Sequence, residues 1–182
     1  MEKATQPRAF YGSFFHTPAY GSFEYLERAL IEVGEDGAIE RVIAHDDPDQ
    51  AAALAKAREA GTLYELGEGR FGLPGFVDIH IHSPQWPQAA LALDEPLYRW
   101  LDERTFPLES KFADVDFAKE VYSDLVDQLL ARGSTTAVYL GSAHLEATVA
   151  LAEICAEHGQ RALVGKTVMD DPAANPDYYR DA

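Results

Sequence analysis

The chain has 182 residues, of which 47% are hydrophobic and 25% are charged, a balance typical of a globular protein. Its formal net charge of −16 argues against nucleic acid or an anionic membrane as a partner, because both bind preferentially to positively charged protein surfaces. Cys155 is the only cysteine, no apolar run approaches the roughly 20 residues that span a membrane, and no signal-peptide pattern is visible, so we expect a cytoplasmic protein without disulfides.

Residues 1–70 are predicted to form a small β domain. Two strands, over 29–33 and 38–44, flank Asp36-Gly37, a dipeptide that favours a tight hairpin turn. A short helix is predicted with Asp47 as its cap and Pro48 as its first residue, running through Ala51 to Ala60 and ending at Gly61. Residues 63–66 are predicted to form a further strand.

In residues 71–182, predicted strands alternate with predicted helices. This alternation favours a parallel sheet with crossover helices, that is, an α/β fold. The predicted elements in chain order are a strand over 76–82, a helix over 97–101, a helix over 112–132, a strand over 135–140, a helix over 145–158 and a strand over 161–168.

The first of these strands contains two histidines, in the sequence LPGFVDIHIHSPQ over residues 73–85. We predict a tight turn at Pro74-Gly75, followed by a strand that ends at His80 and His82. Side chains of a strand alternate between its faces, so both imidazoles point the same way. Each offers a ring nitrogen that can bind a metal ion at about 2 Å. The alternative is a pair of ordinary polar residues where a strand reaches solvent.

This run resembles the first barrel strand of the metal-dependent amidohydrolase superfamily, where an H-x-H pair provides the first two metal ligands. Other segments are similar to the guanine deaminase branch of that superfamily. They are Phe15–Pro18, Pro84-Gln85, Trp100-Leu101, Thr105–Glu109, Gly133–Ala137, Arg161–Lys166 and Met169-Asp170. The similarity runs from about residue 10 to the C-terminus, with Ser134 where the family usually has threonine.

The resemblance implies a partial (β/α)8 barrel of the TIM type, preceded by a small β-sandwich domain. Residues 1–70 would form the N-terminal part of that composite β-sandwich, and residues 71–182 the first part of the barrel. A complete barrel has eight strands in about 250 residues, whereas three are predicted here. The resemblance therefore implies an N-terminal portion. Two further histidines, an aspartate and a proton-shuttling glutamate would lie beyond Ala182, so no catalytic residue is assigned within the chain.

The implied activity is hydrolytic deamination of guanine to xanthine and ammonia in purine catabolism, by a metal-activated water. His80 and His82 would bind one zinc ion, with iron as the alternative metal. The guanine base would be contacted by the segment His82, Ser83, Pro84 and Gln85. The resemblance also implies a homodimer.

Two other functions stay open at this point. One is a different cyclic amidohydrolase that acts on a pterin, a triazine or a hydantoin. The other is a catalytically inactive truncated fragment. A deaminase of the cytidine-deaminase type is excluded, because its zinc site needs P-C-x-x-C and this chain has one cysteine.

Several further residues are weaker candidates. Asp78 shares the predicted face of the two histidines and could orient an imidazole. His144 follows the second strand of the sheet and could serve as a third ligand, although the family takes its other ligands from later strands. Trp86 and Trp100 could stack on a purine, with packing as the alternative. Lys166 could be compared with the carboxylated lysine that bridges two metals in some related hydrolases, with a structural role as the alternative, and Asp170 matches the family's Met-Asp pair without an assigned role.

Overall fold

The computed structural model describes residues 7–181 of the chain. These residues form two compact units, the first of which ends at Pro74 and the second of which begins at Gly75. None of the helices in this part of the chain has the length and apolar character needed to span a membrane.

The first unit is built on one mixed sheet and one helix. Its elements are β1 (Ala9–His16), β2 (Glu24–Val33), β3 (Ile39–Ile43), α1 (Gln50–Glu59), β4 (Leu63–Glu65) and β5 (Phe71–Gly72). The strand order is β3-β2-β1-β4, and β5 pairs with β1. Leu30 and Ile43 are buried against Ala53 and Ala57 of α1, so the core lies between the sheet and this helix.

The predicted hairpin at Asp36-Gly37 is confirmed. Gly37 has a φ of 81°, which a residue with a Cβ adopts rarely, and Oδ1 of Asp36 accepts a hydrogen bond from the Ala38 N–H. The predicted cap of α1 is wrong. Asp47 accepts from the N–H of Asp49 in the preceding turn, and the helix begins at Gln50.

In the second unit, three parallel strands are connected by helices. The strands are β6 (Phe76–His82), β7 (Ser134–Leu140) and β8 (Arg161–Gly165), in the order β6-β7-β8. The longer helices are α4 (Val115–Ala131) and α5 (Leu145–His158). Between β6 and α4 lie a 3-10 helix (Ser83–Gln88) and a continuous helical segment composed of α2 (Leu97–Trp100), a π-helical turn (Leu101–Thr105), α3 (Phe106–Glu109) and a 3-10 turn (Ser110–Ala113). The predicted mixed α/β fold with a parallel sheet is confirmed.

One face of the parallel sheet is covered by α4 and α5. Ala137 and Tyr139 of β7 are buried in the core on this face. Because side chains alternate along a strand, the neighbours of these residues point to the opposite face. On that face, Leu163 of β8 is 70% exposed, and Val77 of β6 is 63% exposed. The second unit therefore has an apolar sheet face that the described residues leave uncovered.

Two predicted boundaries of the second unit and one predicted turn differ clearly from the structure. Helix α4 begins at Val115 rather than at residue 112, because the Asp114 side chain accepts hydrogen bonds from the N–H groups of Asp116 and Phe117. Strand β8 ends at Gly165, after which the Thr167 hydroxyl donates to the Gly141 carbonyl. No turn forms at Pro74-Gly75, and the chain there is irregular.

Candidate functional site

His80 and His82 lie together at the carboxyl end of β6. The pairing of β6 with β7 shifts between Asp78 and Ile81, so a bulge precedes the second histidine. The Nε2 atoms of His80 and His82 are 3.1 Å apart, and the ring centroids are 5.0 Å apart. The structure therefore brings the two predicted side chains into contact, as the alternation of strand side chains predicts.

The distance between these nitrogens suits two ligands of one metal ion. Two nitrogens at about 2.0–2.1 Å from a tetrahedral zinc are roughly 3.3 Å apart. Burial and the neighbouring His80 lower the pKa of His82, which favours the neutral imidazole that binds metals. Within residues 7–181, no third histidine, cysteine, aspartate or glutamate forms a cluster with them.

Asp78 acts on the backbone of the pair rather than on its rings. Its Oδ1 accepts a hydrogen bond of 3.0 Å from the backbone N–H of His80. The predicted contact between Asp78 and an imidazole is absent from the described part of the chain. Asp78 instead stabilises the strand path at the bulge, where the ladder pairing of β6 is interrupted.

An open cleft of about 400 Å³ adjoins the histidine pair. Gln85 and the two tryptophans line it together with His80 and His82. Nε1 of Trp86 donates to the Asp124 carboxylate at 2.6 Å, and Nε1 of Trp100 donates to the Leu91 carbonyl at 3.3 Å. Both indoles are therefore fixed by hydrogen bonds while part of each ring system borders the cleft.

Ser83 and Pro84 are placed differently from the other predicted pocket residues. Both are buried, and neither is among the residues that line the cleft. The Ser83 hydroxyl donates to the Leu140 carbonyl at 3.2 Å, which ties the end of β6 to the end of β7. Since a 3-10 helix begins at Ser83, successive side chains point in different directions, and Gln85 reaches the cleft.

Gln85 is held by a buried carboxylate that was not predicted as a site residue. Its Nε2 donates to Oε1 of Glu109 at 2.9 Å, and Oε2 of Glu109 accepts from the Tyr179 hydroxyl at 2.7 Å. Glu109 is 6% exposed and Tyr179 is 1% exposed. Gln85 and Glu109 are 24 positions apart and Glu109 and Tyr179 are 70 positions apart, so no local sequence pattern could have connected them.

The sequence profile of the amidohydrolase family matches residues 71–181, which is more than half of the chain. The chain belongs to the amidohydrolase family. The resemblance seen in the H-x-H strand and in the later segments is thereby confirmed.

Members of this family with assigned activities are similar to most of the chain. The guanine deaminase of Dictyostelium discoideum is 38% identical over 180 residues, which cover 94% of this chain and 39% of that protein. The guanine deaminase of Homo sapiens is 37% identical over 171 residues, covering 93% and 37%. The chain therefore spans less than two fifths of the length of these relatives.

The structure also matches that of a family member with a bound base. The guanine deaminase from C. acetobutylicum, solved with guanine in its active site, superimposes with a TM-score of 0.80 at 28% identity. The match covers 96% of this chain and 39% of that one. The predicted fold class, a partial amidohydrolase fold, is confirmed by this agreement.

Two of the weaker site candidates, His144 and Lys166, lie near the ends of β7 and β8. His144 is not clustered with His80 and His82, and its Nε2 is buried without a hydrogen bond among residues 7–181. Burial lowers the pKa of His144. Lys166 donates to the Asp181 carboxylate at 2.7 Å and to the Thr167 carbonyl, which is a structural contact.

Proposed function

We propose that this chain is part of a guanine deaminase, which converts guanine to xanthine and ammonia by hydrolysis. The observation that carries the proposal is that His80 and His82, whose Nε2 atoms are 3.1 Å apart, line the same cleft as Gln85. Relatives 37% and 38% identical to the chain are guanine deaminases, which supports guanine as the substrate.

In this proposal, His80 and His82 provide two ligands of one metal ion. When bound, zinc lowers the pKa of a coordinated water to about 7 and so makes a nucleophile available near neutral pH. A catalytic zinc needs about three protein ligands, so the described residues supply a partial site. Asp78 and the Ser83 hydroxyl keep the ends of β6 and β7 in position for this pair.

Gln85 is the proposed recognition residue for the base. An amide carries both a hydrogen-bond acceptor and donors, which suits the mixed polar edge of guanine. Trp86 and Trp100 form apolar walls of the same cleft. Ser83 and Pro84 would act through the backbone, because their side chains are buried. We assign no proton-shuttling carboxylate within this chain.

The test uses the full-length protein with His80→Ala and His82→Ala variants. We expect each variant to lose bound metal and to form xanthine from guanine at least about a hundredfold more slowly, since a first ligand is removed. The matched control is His158→Ala. His158 is an exposed histidine at the end of α5 that pairs with Asp127 at 2.7 Å.

The control should keep its metal content and its turnover of guanine. Metal retention by both ligand variants would contradict the proposed site. Turnover of a pterin, a triazine or a hydantoin in place of guanine would contradict the proposed substrate. The implied homodimer stays a prediction, which a molar-mass measurement of the full-length protein would test.

A further inference from the structure

Three buried or half-buried side chains beside the cleft form a chain of hydrogen bonds that begins at a backbone N–H. The backbone N–H of Ala143 donates to the Tyr179 hydroxyl oxygen at 3.1 Å, and that hydroxyl donates to Oε2 of Glu109 at 2.7 Å. Oε1 of Glu109 accepts from Nε2 of Gln85 at 2.9 Å. Gln85 alone of the three side chains lines the cleft.

The direction of each bond in this chain is fixed by chemistry. The Ala143 N–H can only donate, so the Tyr179 oxygen accepts from it and directs its own proton elsewhere. Burial and the nearby carboxylate raise the pKa of Tyr179, so the hydroxyl keeps that proton. A carboxylate only accepts, and Glu109 therefore takes the proton of Tyr179 on one oxygen and an amide N–H of Gln85 on the other.

The orientation of the Gln85 amide follows from these directions. If the amide were rotated by half a turn, its oxygen would face the carboxylate oxygen of Glu109, and two acceptors would meet in a buried place. Such an arrangement forfeits one hydrogen bond and leaves Glu109 unsatisfied. The amide nitrogen is therefore directed to Glu109, and the Gln85 oxygen makes no hydrogen bond to any of residues 7–181.

We propose that Glu109, supported by Tyr179, is a positioning residue that makes Gln85 present its carbonyl oxygen to the substrate. The inference rests on the proposed function and deepens it. An acceptor presented in this way selects a purine with an N–H donor on the facing edge. Guanine has such donors at N1 and at its 2-amino group, whereas unsubstituted purine has a ring-nitrogen acceptor at N1 and only a C–H at position 2.

The experiment compares the Glu109→Gln variant with the wild type in the full-length protein. Because the Tyr179 hydroxyl still donates, the new amide turns its oxygen to Tyr179 and its N–H group to Gln85, which rotates the Gln85 oxygen away from the cleft. We expect the KM for guanine to rise about tenfold, with kcat within about twofold and the metal content unchanged. Inhibition by unsubstituted purine should not weaken, because a rotated Gln85 can donate to its ring nitrogen.

A reciprocal exchange tests the direction of the hydrogen bond. In the double variant Gln85→Glu with Glu109→Gln, an amide again donates to a carboxylate, and a carboxylate oxygen faces the cleft. The guanine KM of the double variant should return to within about threefold of the wild type. An equal loss in the single and double variants would contradict the proposed orientation.

A pair of tyrosine variants covers the case in which Glu109→Gln fails to fold. Tyr179→Phe removes the second partner of Glu109 and should raise the guanine KM about threefold. Tyr139→Phe is the matched control, because the buried Tyr139 hydroxyl also donates, at 2.8 Å, into a glutamine, Gln160, outside the cleft. The control should lower thermal stability without a change in KM.

The outcomes separate the inference from the function on which it rests. A wild-type protein that does not deaminate guanine would refute the proposed function. A wild-type protein that does so, with unchanged KM in Glu109→Gln and in Tyr179→Phe, would overturn the role of Glu109 alone.

Discussion

At the scale of single residues, partners that are distant in sequence determine what a side chain can do. Gln85 was predicted as a pocket residue from its place after the histidines, and it does line the cleft. Its hydrogen bond to Glu109 could not be predicted, because the two residues meet only when the helical segment from Leu97 to Ala113 folds back on the strand. Ser83 and Pro84, which are adjacent to it, are buried instead.

Replacement of Gln85 by alanine should weaken guanine binding without loss of the metal. The variant removes a polar contact to the base but leaves His80 and His82 intact. We expect the guanine KM of the full-length protein to rise about tenfold, which is the effect of one lost hydrogen bond. Steady-state kinetics and metal analysis of the same preparations would measure this. Unchanged kinetics would remove Gln85 from the pocket.

Cys155 should make stability depend on pH in the alkaline range. Its side chain is 1% exposed, and burial raises the pKa of the thiol to about 11, above its ordinary value of about 8.5. The folded state thus holds a proton that the unfolded state releases. The stabilisation is fully present below about pH 8.5 and is lost as the pH rises towards 11.

Urea unfolding of the full-length protein near pH 8 and near pH 10 would test this, with Cys155→Ala as the comparison. The wild type should lose more free energy of unfolding than the variant between the two pH values. Equal losses would show that the thiol ionises as readily in the folded protein as in the unfolded one.

At the scale of elements, the close approach of two strands explains why residue 75 is a glycine, although the sequence predicted a turn there. Gly75 lies against Thr135 at the start of β7, and a Cβ on Gly75 would lie 2.6 Å from Cγ2 of that threonine. The backbone N–H of the next residue, Phe76, donates to the Gly133 carbonyl at 2.7 Å. Gly75 is thus required by packing rather than by turn geometry.

A Gly75→Ala substitution should destabilise the protein by about 1–3 kcal/mol through overpacking at the start of the β6–β7 pair. Gly67→Ala is the matched control, since its nearest neighbour would be the Arg70 side chain at 3.9 Å. Thermal unfolding of both variants would measure the difference. A Gly75 variant as stable as the Gly67 variant would show that Thr135 moves aside without cost.

At the scale of the whole molecule, the described residues contain a pair of adjacent histidines and an uncovered sheet face. Two imidazoles approach each other, but no cluster of three ligand-type side chains forms within residues 7–181. The exposed apolar side chains of Val77 and Leu163 lie on the face opposite α4 and α5. Both features agree with a chain that spans 39% of its Dictyostelium relative.

Residues 1–182 by themselves should not deaminate guanine. Two histidines hold a metal weakly, because a catalytic zinc needs about three protein ligands and a carboxylate to transfer protons. An assay of xanthine formation, with a preparation of this fragment free of longer chains, would test the prediction. Measurable turnover that disappears in His80→Ala would contradict it and place the whole site in these residues.

The sequence by itself determined the elements whose signals are local. Local residue content predicted β6, β7 and α5, the Asp36-Gly37 dipeptide predicted the hairpin, and strand alternation predicted that His80 and His82 meet. Strands β1 and β5 were not predicted, because the aromatic run of β1 does not alternate and β5 has two residues.

Only the tertiary structure decided which side chains support the site. The contacts of Gln85 with Glu109, of Glu109 with Tyr179 and of Gly75 with Thr135 join segments that are far apart in the chain. Periodicity and turn chemistry act over a few residues, whereas a buried hydrogen bond depends on where whole elements pack. The meeting of the two histidines could therefore be predicted from one strand, and the carboxylate that is hydrogen-bonded to the neighbouring amide could not.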